Sequence, residues 1–209
     1  MQRSLMVSAL AATLLAPLAS QAADTTALSW VILKEGEPIG RETTVLSRDG
    51  DHTRVEVTTD SKVKVLVINF HYHHKRSEDW VGGRLERLIA DTDDDGAIHH
   101  IDAKRDGETI TATIDGDTKT WPAGTLPLTL WGKAILDAKL LTSIVDGEPY
   151  QVTVRDLGAE NLSLNGQAKP AEHWRITGDI ERDLWYGADG LLLKAAFRRR
   201  GYPIELVRE

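Results

Sequence analysis

The chain contains no cysteine, which removes disulfides, thiolate zinc centres, cysteine nucleophiles and lipid attachment through a thiol. Phenylalanine and methionine are scarce at two each, so bulky packing falls to six tryptophans and four tyrosines. Cations are in the minority: 25 Lys and Arg against 32 Asp and Glu give a net charge of −7. That is the wrong sign for nucleic acid or an anionic membrane surface. Beyond residue 22, charges or turn residues interrupt every apolar run before it is long enough to span a bilayer as a helix. A Gly-x-Ser-x-Gly elbow, a His-Glu-x-x-His pair and a glycine-rich phosphate loop are also missing. Adjacent carboxylates such as Glu78 and Asp79 point to opposite faces of a strand, poor geometry for two acids sharing one substrate. No cofactor is expected, and a non-enzymatic role is the stronger expectation.

What is present begins with an address. Arg3 precedes an uncharged, mostly apolar run from Leu5 to Leu18; Pro17 breaks the helix, and Ser20-Gln21-Ala22 ends in small residues. This is the pattern of a secretory signal peptide over residues 1–22, too short to be a membrane span. With no linker or change of composition beyond it, residues 23–209 are expected to form one domain in the periplasm.

The rest is punctuated by Asp-Gly or Asn-Gly pairs at residues 49, 95, 106, 115, 146, 165 and 189. Such pairs supply the positive φ of tight hairpin turns. Between them lie strand-length runs such as Thr53–Thr59, Ile98–Arg105, Thr109–Ile114, Gln151–Asp156, His173–Thr177 and Leu191–Phe197. Val55 and Val57 alternate with Arg54, Glu56 and Thr58, as in a half-buried antiparallel sheet. The expectation is an all-β domain: one antiparallel, strongly curved sheet, an open or incomplete barrel, of about 11–12 strands. Two stretches break the rhythm. Lys62–His74 is apolar on both faces and reads as one strand in the middle of a sheet that wraps around something. Trp121–Leu141 opens with prolines that exclude a regular helix, then fits one short helix over Lys133–Leu141. So apolar a segment is expected to fill or lid the concave face.

Three patterns suggest chemistry. Asp91, Asp93 and Asp95 with Gly96 and Asp102 match the spacing of a calcium loop, but Ile98–Arg105 reads as a strand where a helix should follow. An acidic hairpin turn is the better reading. His71 and His73 share a strand face, and His99 or His100, with Glu78 as an oxygen donor, could complete a metal site if the strands converge. The third is the concavity itself, which Leu66, Ile68, Phe70, Trp121, Leu128, Leu130 and Trp131 are expected to line.

The order of several phrases adds to this. Glu78-Asp79-Trp80 precedes Gly83-Arg84-Leu85 and Thr92–Gly96; Leu126-Pro127 precedes Trp131; Arg175–Asp179 precedes Leu184-Trp185-Tyr186 and Asp189-Gly190. This order resembles a family of exported bacterial proteins known only as a domain of unknown function. Its closing segment is similar to periplasmic open half-barrels of the lipoprotein-carrier type. The resemblance implies a half-barrel, makes the acidic turn a family feature and carries no site residues. The function expected is a periplasmic module holding a hydrophobic or lipidic ligand, or an envelope partner, in its concave face. The alternatives are a metal-binding or metal-dependent envelope enzyme using the strand histidines, and a structural or interaction protein with a filled core.

Overall fold

The computed structural model describes residues 24–65, 68–122, 124–164 and 166–209, and of residues 64, 65 and 68 the backbone alone. The expected export signal, Leu66 and the side chain of Ile68 therefore lie outside the described residues.

Fifteen strands are described: β1 Asp24–Lys34, β2 Glu37–Asp49, β3 His52–Val65, β4 Ile68–Val81, β5 Arg84–Asp94, β6 Ala97–Asp106, β7 Thr109–Ile114, β8 Asp117–Trp121, β9 Leu126–Pro127, β10 Leu140–Thr142, β11 Pro149–Leu164, β12 Gln167–Gly178, β13 Arg182–Tyr186, β14 Leu192–Arg199 and β15 Tyr202–Arg208. They form a single sheet in the order β8-β7-β6-β5-β4-β3-β2-β1-β15-β14-β13-β12-β11-β10-β9. Strands β9 and β10 pair in parallel; every other described pairing is antiparallel. Successive hairpins carry the chain outward from β1 to one edge. It then crosses to the other edge and returns, hairpin by hairpin, until β15 lies beside β1.

The all-β, open, strongly curved sheet is as the sequence implies. Its curvature shows in one contact: Arg199 of β14 donates to Asp94 of β5 at 2.8 Å although five strands lie between β5 and β14 in the sheet. The strand count exceeds the expected 11–12, partly because the crossing adds the two short strands β9 and β10. Lys62–His74 is also not one strand. Val63 pairs with Phe70 and Val65 with Ile68, so the run is the apex of the β3–β4 hairpin. Its apolar, β-branched sequence carries no glycine, proline or aspartate to mark the reversal. The acidic pattern is a turn: Asp95 and Gly96 both take positive φ (59° and 91°) between β5 and β6.

The crossing, residues 122–148, spans the concave face. It holds β9, a 3-10 helix at Lys133–Asp137 and β10. The helix stops short of Leu141 because Leu140–Thr142 pairs with Pro149–Gln151 of β11 and with β9. Ile135 and Leu136 anchor the helix in a cluster with Trp30, Ile32, Ile176 and Leu184. A second cluster, including Leu46, Val55, Leu88, Ile101 and Trp121, fills the β2–β8 half. Leu126 packs against both, so the crossing ties the halves together. Burying each large apolar side chain contributes about 1.5–3 kcal/mol, which makes this segment a structural part of the core. No described helix is long and apolar enough to cross a membrane.

Candidate ligand cavity

Strand β4 points an unusual set of side chains inward. Alternation places His74, Arg76, Glu78 and Trp80 on the concave face, all buried, while His71, His73, Lys75 and Asp79 face outward. Glu78, with no solvent exposure, accepts four hydrogen bonds: from Arg76 Nε at 2.6 Å, Thr129 Oγ1 at 2.8 Å, Trp80 Nε1 at 2.8 Å and Trp131 Nε1 at 2.9 Å. Arg76 also donates through Nη1 to His74 Nε2 at 3.1 Å and through Nη2 to Thr129 Oγ1 at 3.3 Å. Because guanidinium can only donate, His74 carries its proton on Nδ1 and gives it to Thr92 Oγ1 at 2.8 Å. Burial, reinforced by the Arg76 charge, holds the His74 imidazole neutral and lowers its pKa to about 3. A buried ion pair is tolerated when further hydrogen bonds satisfy it, and here each guanidinium nitrogen of Arg76 has a partner and Glu78 accepts four bonds. Thr129 and Trp131 belong to the crossing, so the network fastens that segment to β4.

Beside this network the crossing leaves space. A cavity of 460 Å³ opens between the β2–β5 wall and the wall formed by β1, β14, β15 and the crossing. The first wall is polar. Cross-strand pairing aligns Glu42, Thr59, His74 and Thr92 in one row and Ser61, Tyr72 and Asp94 in the next. Thr59 donates to Glu42 at 2.8 Å. Burial raises the Glu42 pKa despite the opposing charge of Arg76, and burial pushes the Tyr72 phenol up to about 12. The second wall is apolar, with Ile32, Leu128, Leu130, Phe197, Ile204 and Leu206. At the exposed rim, the β14–β15 turn places Arg199 2.8 Å and Arg200 3.2 Å from Asp94. Their guanidiniums lie over the rings of Tyr72 and Phe70, 4.7 Å and 5.9 Å from the centroids.

Phe70, Leu128 and Leu130 line this cavity. Trp121 and Trp131 do not line it: they pack in the β2–β8 core, where Trp131 meets Trp80 edge-on at 6.1 Å. The histidines do not converge. His71 and His73 lie on the outer face of β4, whereas His99 pairs with Thr92 on the inner face. Each is taken by a different aspartate: His71 by Asp93 at 3.1 Å, His73 by Asp60 at 2.6 Å, His99 by Asp115 at 2.8 Å and His100 by Asp91 at 2.7 Å. Glu78 is spent on the buried network. Asp93 receives the Gly96 amide at 2.7 Å, and this bond together with His71 holds its carboxyl below the usual range. Among the described residues no group of three His, Asp or Glu side chains could hold a metal ion.

Sequence reasoning missed Glu42, Arg76, Thr129 and the second role of Glu78. The signal was available in part, because counting back from Trp80 by twos puts Glu78, Arg76 and His74 on the side of an obvious core residue.

Residues 30–209 match a family described as Domain of unknown function (DUF6134). The chain belongs to that family. It is also similar in fold to the crystal structure of a beta-barrel-like protein of Domain of Unknown Function DUF1849 from Brucella abortus. The TM-score is 0.62 at 11% identity, over 91% of this chain and 98% of that one. At that identity the likeness concerns the fold alone. No curated protein matches the sequence. A domain of unknown function on a barrel-like scaffold is what the order of motifs implied.

Proposed function

We propose that this DUF6134 protein is a non-enzymatic periplasmic module that holds a hydrophobic or lipidic ligand within its concave sheet. The observation that carries the reading is the two-walled cavity of 460 Å³. That volume falls within the roughly 300–1,000 Å³ of small-molecule sites, and apolar walls with a few polar groups are their usual lining. Export is supported by the Met1–Ala22 pattern. A wholly filled core is disfavoured because Trp80, Trp121 and Trp131 close only the β2–β8 half. The strand histidines offer no common focus for a metal-dependent enzyme.

The test is native mass spectrometry of the protein released gently from its own periplasm. An added mass of several hundred daltons that is lost on denaturation is the expected result. Replacing Leu130 by arginine, which puts a charge on the apolar wall, is expected to abolish that mass. A bare chain mass in the wild type, together with no saturable binding of fatty acids or phospholipids, would refute the ligand reading. Recovery of the protein from the cytosol would refute the location.

A further inference from the structure

Lys34, at the cavity's margin, pairs with Glu35 at 2.6 Å, but another cation of the apolar wall has no such partner. Arg182 opens β13 and faces the cavity in a cross-strand row with Ile176, Phe197 and Ile204. Of its five N–H donors, the described hydrogen bonds use one, to the Glu181 carbonyl at 2.9 Å. Its guanidinium lies 4.2 Å from the centre of the Phe197 ring. Among the described residues it forms no ion pair. Asp183, on the next turn of the pleat, is committed to His173 and Arg175, each at 2.8 Å. Arg199 and Arg200 at the rim share Asp94, and Arg76 has Glu78. Arg182 is therefore the cavity's arginine without an acid. Burial, opposed by the nearby Tyr150 phenol and reinforced by Arg199, brings its pKa down to about 10, so it remains charged at neutral pH. A desolvated cation is unfavourable unless something neutralises it, and bare guanidinium donors beside an apolar surface suit a planar carboxylate or a phosphate.

We propose that Arg182 anchors an anionic head group, so that the cavity takes a single-chain amphiphile with its carboxylate or phosphate on the guanidinium and its chain along Ile32, Leu128, Leu130 and Leu206. The proposal rests on the ligand reading above and names the class of ligand.

The experiment compares dodecanoate, dodecyl phosphate, dodecanol and inorganic phosphate on delipidated protein by isothermal titration, in the wild type and in Arg182→Gln and Arg182→Lys. The wild type is expected to bind at least one anionic amphiphile about ten- to a hundredfold more tightly than dodecanol, the range of a charge-assisted hydrogen bond. The tighter of the two anions identifies the head group. Arg182→Gln should erase the preference while leaving dodecanol binding intact, and Arg182→Lys should restore part of it. Equal binding of acid and alcohol by the wild type would overturn the anchor and leave the hydrophobic cavity standing. An unchanged preference in Arg182→Gln would do the same, assigning Arg182 merely to covering Phe197. Inorganic phosphate binding as tightly as dodecyl phosphate would overturn the amphiphile. Failure of all three chain-bearing probes in the wild type would sink both readings. The acid-to-alcohol comparison needs only wild-type protein, so a variant that does not fold leaves it decisive.

Discussion

Replacing Glu78 by glutamine tests how the crossing is held. The carboxylate faces four donors and is fully buried. Glutamine keeps the shape but has one acceptor oxygen and brings an NH₂ group that meets donors head-on. Arg76, also buried, loses its counter-charge. Breaking a buried pair by removing one partner costs about 3–5 kcal/mol. For a chain of this size, each kcal/mol lowers Tm by about 2–4 °C, so the expected drop is about 6–20 °C. Arg76→Leu should cost a comparable amount, because it strands the carboxylate. The double variant should lose less than the sum, with a coupling of about 0.5–3 kcal/mol. Thermal unfolding by circular dichroism measures each value. Tryptophan fluorescence adds a local readout, because two of the indoles bond to Glu78. A Glu78→Gln protein that melts within about 1 °C of wild type would refute the view that this network pins the crossing.

The buried histidine and acid on the polar wall act in opposite directions with pH. His74 has its pKa lowered from 6.5 to about 3, so its contribution is complete above pH 6.5 and is lost as pH falls toward 3; His74→Gln should flatten Tm against pH over that window. Glu42 has its pKa raised above 4.5, so its favourable contribution is present below pH 4.5 and lost as pH rises through the folded value; Glu42→Gln should raise Tm at neutral pH and change little below 4.5. Asp94→Ala removes two rim ion pairs on exposed arginines and should cost no more than about 1 kcal/mol by denaturant unfolding. Gly40 faces backbone closely: an added Cβ would stand 2.1 Å from the Asp60 carbonyl oxygen, so Gly40→Val should disrupt the β2–β3 pairing and lose its amide protection in hydrogen exchange.

Much of the scaffold was legible because hairpins are local. Asp95-Gly96 and Asp115-Gly116 are turns with both φ positive, as the dipeptides demand. The same logic fails where the chain reverses without punctuation, as between Val65 and Ile68. Of the apolar residues singled out in the sequence, Phe70, Leu128 and Leu130 lie on the cavity wall. Trp121 and Trp131 were misplaced because an indole suits a core and a pocket equally well, and only packing decides between them. The histidines misled because β5 separates the strands that carry them, so that His99 of β6 faces the inner side, away from His71 and His73, and His100, on their side, lies across β5 from them.

The sequence by itself determined the all-β class, the succession of hairpins and the apolar crossing, since each depends on periodicity and turn chemistry within a few residues. The tertiary structure alone decided that Glu78 of β4 would meet Thr129 and Trp131, that Arg199 would reach Asp94 across five strands, and that Arg182 would stand uncompensated on an apolar wall. Those relations follow from how far the sheet curves and where the crossing lies within it. Curvature sums small twists over many strands, and no single stretch of the chain encodes it.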